Sequence, residues 1–140
     1  MKAALTLTTA QIEALPNAPL QVIAAPGVGK AIAVLGIQYA FNLIAGYTLS
    51  DSSPITDSSD IATTYGANVL NAIPATLGSF LSSATPRLYV LQGSDASVTY
   101  AAVDNQPIYI ASDSENGLDF IGGDPANSLG VTIEYEIIDL

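Results

Sequence analysis

Histidine, cysteine and tryptophan are absent from this 140-residue chain, and only Lys2, Lys30 and Arg87 are basic. Each absence removes a class of chemistry. Without histidine there is no Ser-His-Asp or Cys-His machinery. Without histidine or cysteine there is no zinc site of the usual nitrogen and sulfur type. Without cysteine, stability cannot depend on an oxidising compartment. Three bases against thirteen acids give a net charge of -10. That balance opposes nucleic acid, where affinity comes largely from Lys and Arg neutralising phosphates. It equally opposes docking on an anionic membrane. Charged residues make up only 11% of the chain and hydrophobic ones 49%. Long charged side chains normally coat a surface. A chain with so few of them either exposes much Ala, Ser, Thr and Gly or covers part of its surface with partners; a permanent oligomer or assembly subunit is the expectation, since obligate interfaces are more apolar than ordinary surface.

What is present reads as one domain over residues 1–140, long enough to bury a core without disulfide or metal staples. The run Met1-Lys2-Ala3-Ala4-Leu5 begins like a signal peptide, but Thr6, Thr8 and Thr9 interrupt it. A first strand, or an extended N-terminal arm over residues 1–9, is expected instead. Thr9 is read as the cap of a short helix ending at Pro16, with Ile12 and Leu15 on one face. Residues 31–47 are uncharged but hold Gln38, Asn42 and two glycines. They read as two buried strands with a bulge at Gly36, not as a membrane span. Strands are also expected at 20–24, 87–91, 98–101 and 107–111. The clearest lies at 129–137, where Leu129, Val131, Ile133, Tyr135 and Ile137 alternate with Thr132, Glu134 and Glu136. Helical spacing of Ile73, Leu77, Phe80 and Leu81 predicts one helix at 74–82. The fold class expected is all-β, a β-sandwich or jelly-roll-like domain with one or two short helices.

Few constellations could carry chemistry. Gly27-Val28-Gly29-Lys30 invites a phosphate-loop reading, but Ala24 and Ala31 stand where that motif needs Gly and Ser or Thr. A strand pattern, not a helix, follows, so the segment reads as a turn. Glu134 and Glu136 share a strand face about 7 Å apart, a spacing that any amphipathic strand with alternate glutamates gives. Asp113, Glu115, Asp119 and Asp124 lie close in sequence, with Asp51, Asp57 and Asp60 as a second group. Oxygen-rich loops of this kind suit calcium. However, Leu118 occupies the position where the calcium-loop pattern requires Gly, and solvated acidic loops are the expected reading. No cofactor is expected, and no catalytic residue.

Three stretches resemble the auxiliary head proteins of tailed bacteriophages, the cement or decoration proteins of the outer capsid. The first is Leu5-Thr6-Leu7-Thr8-Thr9-Ala10-Gln11-Ile12 with Pro19-Leu20-Gln21-Val22-Ile23-Ala24-Ala25-Pro26-Gly27-Val28-Gly29-Lys30-Ala31. The second is Asn105-Gln106-Pro107-Ile108-Tyr109-Ile110. The third is Gly122-Gly123-Asp124 leading into Leu129-Gly130-Val131-Thr132-Ile133-Glu134-Tyr135-Glu136-Ile137-Ile138-Asp139-Leu140. The resemblance implies a structural virion protein at the capsid surface, commonly a homotrimer, bound to the major capsid protein where its subunits meet. It implies no enzyme activity. A tail, neck or fibre component of the same kind of virion is the nearest alternative. A calcium- or carbohydrate-binding β-sandwich module is the alternative from another class.

Overall fold

The computed structural model describes residues 1–50, 60–66, 72–73, 81, 84–92, 100–113 and 120–140. Its elements are β1 (Lys2–Thr8), α1 (Thr9–Ala14), β2 (Leu20–Ile23), β3 (Lys30–Asn42), β4 (Thr48–Leu49), β5 (Asp60–Tyr65), β6 (Ala72–Ile73), β7 (Arg87–Gln92), α2 (Tyr100–Val103), β8 (Ile108–Asp113), β9 (Phe120–Ile121) and β10 (Ser128–Asp139). The architecture is the expected all-β, sandwich-like domain. One four-stranded sheet runs β1-β10-β3-β7, a second β2-β8-β5-β6, and β4 pairs with β9. Every pairing is antiparallel.

Period-two alternation builds the first sheet. Leu129, Val131 and Ile133 of β10 are buried, and register sets them beside Leu7, Leu5 and Ala3 of β1 and beside Phe41, Tyr39 and Ile37 of β3. These rows form the inner face. They meet Ile108, Ile110 and Thr63 of the second sheet, and the Tyr39 hydroxyl lies 2.7 Å from Thr63 Oγ1 in the layer between. Burial pushes the Tyr39 phenol up to about 12, against the lowering effect of its bond to Thr63. α1 packs on β1, β9 and β10 and buries Ile12.

One inserted residue makes β3 work. Glu134 faces Gly36 and Tyr135 faces Val34, so Leu35 is a bulge with no partner of its own. The bulge shifts which parity points inward. Ile32 is buried before it; Ile37, Tyr39 and Phe41 are buried after it. The apolar run that reads as two-faced in sequence is one face switching numbering. The bulge expected at Gly36 thus falls at its neighbour, and the two expected strands are one.

Other expectations are corrected. The α1 cap is Thr8, whose N–H donates to Gln11 Oε1 at 2.9 Å. The Thr9 hydroxyl instead donates to the Asp124 carbonyl at 2.6 Å. Tyr100 and Ala101, expected in a strand, lie in α2. That turn delivers Asp104 and Asn105 to the β2–β3 connection, a tertiary demand that outweighs the β-propensity of Tyr100. Ile137, expected on the buried face, is exposed because β10 there outruns both β1 and β7. The helix expected at 74–82 lies outside the described residues, except for buried Leu81.

Candidate interaction surface

The outer face of the first sheet is assembled from alternate residues of four strands. Register brings Ala4, Thr132, Gln38 and Val90 into one row, and Thr6, Gly130, Ala40 and Leu88 into the next. Leu88 is 66% exposed, and Val90 and the bulge residue Leu35 are 47% and 48% exposed. The only charges on these rows and the one beside them are Lys2 and Glu134, 3.6 Å apart at one corner and both exposed. An exposed pair of this kind contributes little to stability. It does leave these three rows electrically neutral on a chain of charge -10, while Glu136 adds a negative charge farther along the same face. A shallow depression of about 290 Å³ lies beside the pair, edged by Gln38 and Thr132.

The turn at Gly27-Val28-Gly29 forms a second exposed feature. Gly27 and Gly29 have φ of 108° and 75°, in the left-handed region that glycine occupies without steric cost. The Gly27 N–H donates to Asn105 Oδ1 at 2.9 Å and the Gly29 N–H to Asp104 Oδ1 at 2.8 Å. Lys30 is engaged by Asp139, whose carboxyl that hydrogen bond and charge hold below the usual range. The amides and lysine that a phosphate would need are therefore committed within the chain. This agrees with the turn reading. Val28 stands at the tip, 85% exposed.

The calcium candidates are only partly in view. Glu115 and Asp119 lie outside the described residues, as do Asp51 and Asp57. Asp124 is described, and its Oδ1 accepts the Ala126 N–H at 2.8 Å, a local turn bond. The β5–β8 register sets the Cα atoms of Asp60 and Asp113 opposite one another. Among the described residues no three His, Cys, Asp or Glu side chains are grouped so as to hold a metal ion. Glu134 and Glu136 share the exposed face, as their alternation predicts.

A buried polar junction was not legible beforehand. Asn127 Oδ1 accepts the Ile44 N–H at 2.7 Å, and Asn127 Nδ2 donates to the Ala45 carbonyl at 2.7 Å. This ties the loop after β3 to the start of β10. An Asn before a strand signals a turn in sequence, but not which distant loop it will hold. Among the described residues, no helix is long and apolar enough to cross a membrane. No known protein family, curated relative or solved structure matches the chain.

Proposed function

We propose that the protein is a structural component of a virion that binds the outer capsid surface and stabilises contacts between major capsid subunits. The observation that supports this most is the set of three neutral rows on the outer face of the first sheet. Ala4, Thr6, Ala40 and Gly130 keep them flat, Leu35, Leu88 and Val90 give them exposed apolar area, and the one charge pair on these rows cancels. Acidic charge elsewhere limits non-specific association. A neutral apolar face is where a large partner can approach without desolvating unpaired charge. The reading assigns the protein no catalytic step and no cofactor. Its partners are the major capsid protein and further copies of itself, for which the family resemblance implies a trimer.

The test is sedimentation of the purified protein with stripped phage heads. Binding should raise the temperature at which the heads rupture. Leu88→Asp with Val90→Asp should abolish co-sedimentation and leave the protein folded, because both side chains point to solvent. A protein that ignores heads and binds isolated tails would move the assignment to a tail component. Indifference to both would overturn a virion role.

A further inference from the structure

The connection from β9 to β10 turns through Asp124, Pro125, Ala126 and Asn127. The Asp124 carbonyl, part of the Asp124–Pro125 peptide bond, accepts two hydrogen bonds. One comes from the Asn127 N–H at 2.9 Å, the ordinary closing bond of a turn with Pro at its second position. The other comes from the Thr9 hydroxyl at 2.6 Å, across 115 residues of chain. The other acceptor near that hydroxyl, the Asn127 carbonyl, lies farther off at 3.4 Å. Both donors are held in place. Thr9 opens α1 directly after β1, and the buried Asn127 side chain is tied to Ile44 and Ala45. The Asp124 carboxylate is held as well, since its Oδ1 accepts the Ala126 N–H at 2.8 Å. Asp124 is half-buried and Pro125 is exposed, so water reaches the bond between them.

Proline after aspartate selects one reaction. Attack of the following backbone nitrogen on the aspartate side chain needs an N–H, which Pro lacks. The carboxylate is left to attack its own main-chain carbonyl, an intramolecular step that closes a five-membered ring. Negative charge building on the carbonyl oxygen opposes that step. Preorganised donors aimed at such an oxygen are usually the largest single contribution to acyl-transfer catalysis. The Asp124 oxygen already has two.

We propose that Asp124–Pro125 is a self-cleaving peptide bond, with the Thr9 hydroxyl and the Asn127 amide as its oxyanion hole. A side-chain oxygen of Asp124 bonds to the Asp124 carbonyl carbon, and the carbonyl electron pair moves onto the oxygen held by Thr9 and Asn127. When that pair returns, the C–N bond to Pro125 breaks. Its electrons stay on nitrogen, where a proton from hydronium joins them. The products are a cyclic anhydride at residue 124 and a secondary amine at Pro125. One water then opens the anhydride to two carboxyl groups and returns the proton, so the reaction consumes water alone. The titratable groups on the elements around the turn are Glu13 of α1 and Tyr47, which packs on Gly123; Lys2, at the far end of β1, is engaged by Glu134. Among the described residues no ion pair reaches Asp124. The pairing of β10 with β1 and β3 begins at Ser128, beyond the cut, so the nicked chain keeps its first sheet. The inference goes beyond the virion reading and does not depend on it.

The experiment is intact-mass spectrometry of the 140-residue chain held at about pH 5, where carboxylates still ionise and hydronium is more abundant than at neutrality. Two fragments are expected, 1–124 and 125–140, together heavier than the parent by one water. Cleavage should run at least about tenfold faster in the folded chain than in the same chain unfolded in urea, which keeps the Asp–Pro bond and loses the donors. Thr9→Val removes the hydroxyl and should slow cleavage at least about tenfold, while Thr9→Ser keeps it and should cleave at the parent rate. Asp124→Ala removes the nucleophile and should abolish cleavage. Circular dichroism checks that each variant is folded. Equal rates in the folded and unfolded chain, or no cleavage in either, would overturn the proposal. So would a folded Thr9→Val chain that cleaves like the parent, or cleavage that survives Asp124→Ala. The folded-against-unfolded comparison decides the matter even where a variant fails to fold. Head binding is read separately and bears on the virion reading alone.

Discussion

Gly123 sits where a side chain cannot go. A Cβ built on it would lie 2.1 Å from Tyr47 Cε1, 2.4 Å from Cζ and 2.8 Å from Cδ1. Carbon atoms make favourable contact at about 3.5–4.0 Å, so the ring must retreat by roughly 1.5 Å. It has little room to do so, because Tyr47 is 1% exposed and belongs to the core cluster. Forcing extra volume into a packed core costs about 1–3 kcal/mol. Gly123 is not in the left-handed region, so alanine would gain about 0.4–1 kcal/mol from a less flexible unfolded chain. The expected net loss for Gly123→Ala is about 1–2 kcal/mol, or roughly 4–8 °C in Tm for a chain of this length. Urea unfolding with an unchanged m-value would measure it. The cause is isolated by repeating the substitution in a Tyr47→Leu background, where the ring is gone and the loss should vanish. A loss below about 0.5 kcal/mol in the parent, or the same loss in both backgrounds, would refute the steric argument.

Two further predictions follow from buried polar groups. Asn127→Ala strands the Ile44 N–H and the Ala45 carbonyl, and with about 1–3 kcal/mol for each stranded group urea melts should show a loss of about 2–6 kcal/mol; a loss under about 1 kcal/mol would mean that water replaces the amide. The Tyr39 phenol, raised from 10.0 to about 12 by burial, stays neutral in the folded chain while the unfolded chain ionises. Its contribution is therefore fully present below pH 10 and is lost as pH rises from 10 through 12, by about 2–3 kcal/mol at most. Tyr39→Phe should flatten that part of the pH–stability curve measured by urea melts. An unchanged slope would show that other phenols, Tyr65 among them, dominate the alkaline loss.

The strands that matter most were legible because their side chains obey one period without interruption. Leu129, Val131 and Ile133 announce an inner face, and Gly130, Thr132 and Glu134 an outer one. β3 was legible as strand but not as a face, since a single inserted residue at Leu35 reverses the parity and makes both sides look apolar. β5 went unseen. Its residues Thr63 and Thr64 are fully buried yet polar, and hydropathy gives no sign that a tyrosine hydroxyl from another sheet will pair with Thr63. α2 went unseen for a related reason: its role is to place Asp104 and Asn105 against two amides some seventy-five residues away.

The interaction surface shows the same limit more sharply. Ala4, Ala40, Leu88 and Val90 are unremarkable singly, and exposed aliphatics scattered over a surface carry no information. They become a face only when register places β1, β10, β3 and β7 side by side. The face has no motif, because it is not local. What the sequence does announce is the scarcity of charge, and scarcity is a property of the whole chain. It states that uncharged surface must exist somewhere. Register alone decides where that surface lies, because it is the order β1-β10-β3-β7 that sets these small and apolar side chains in common rows.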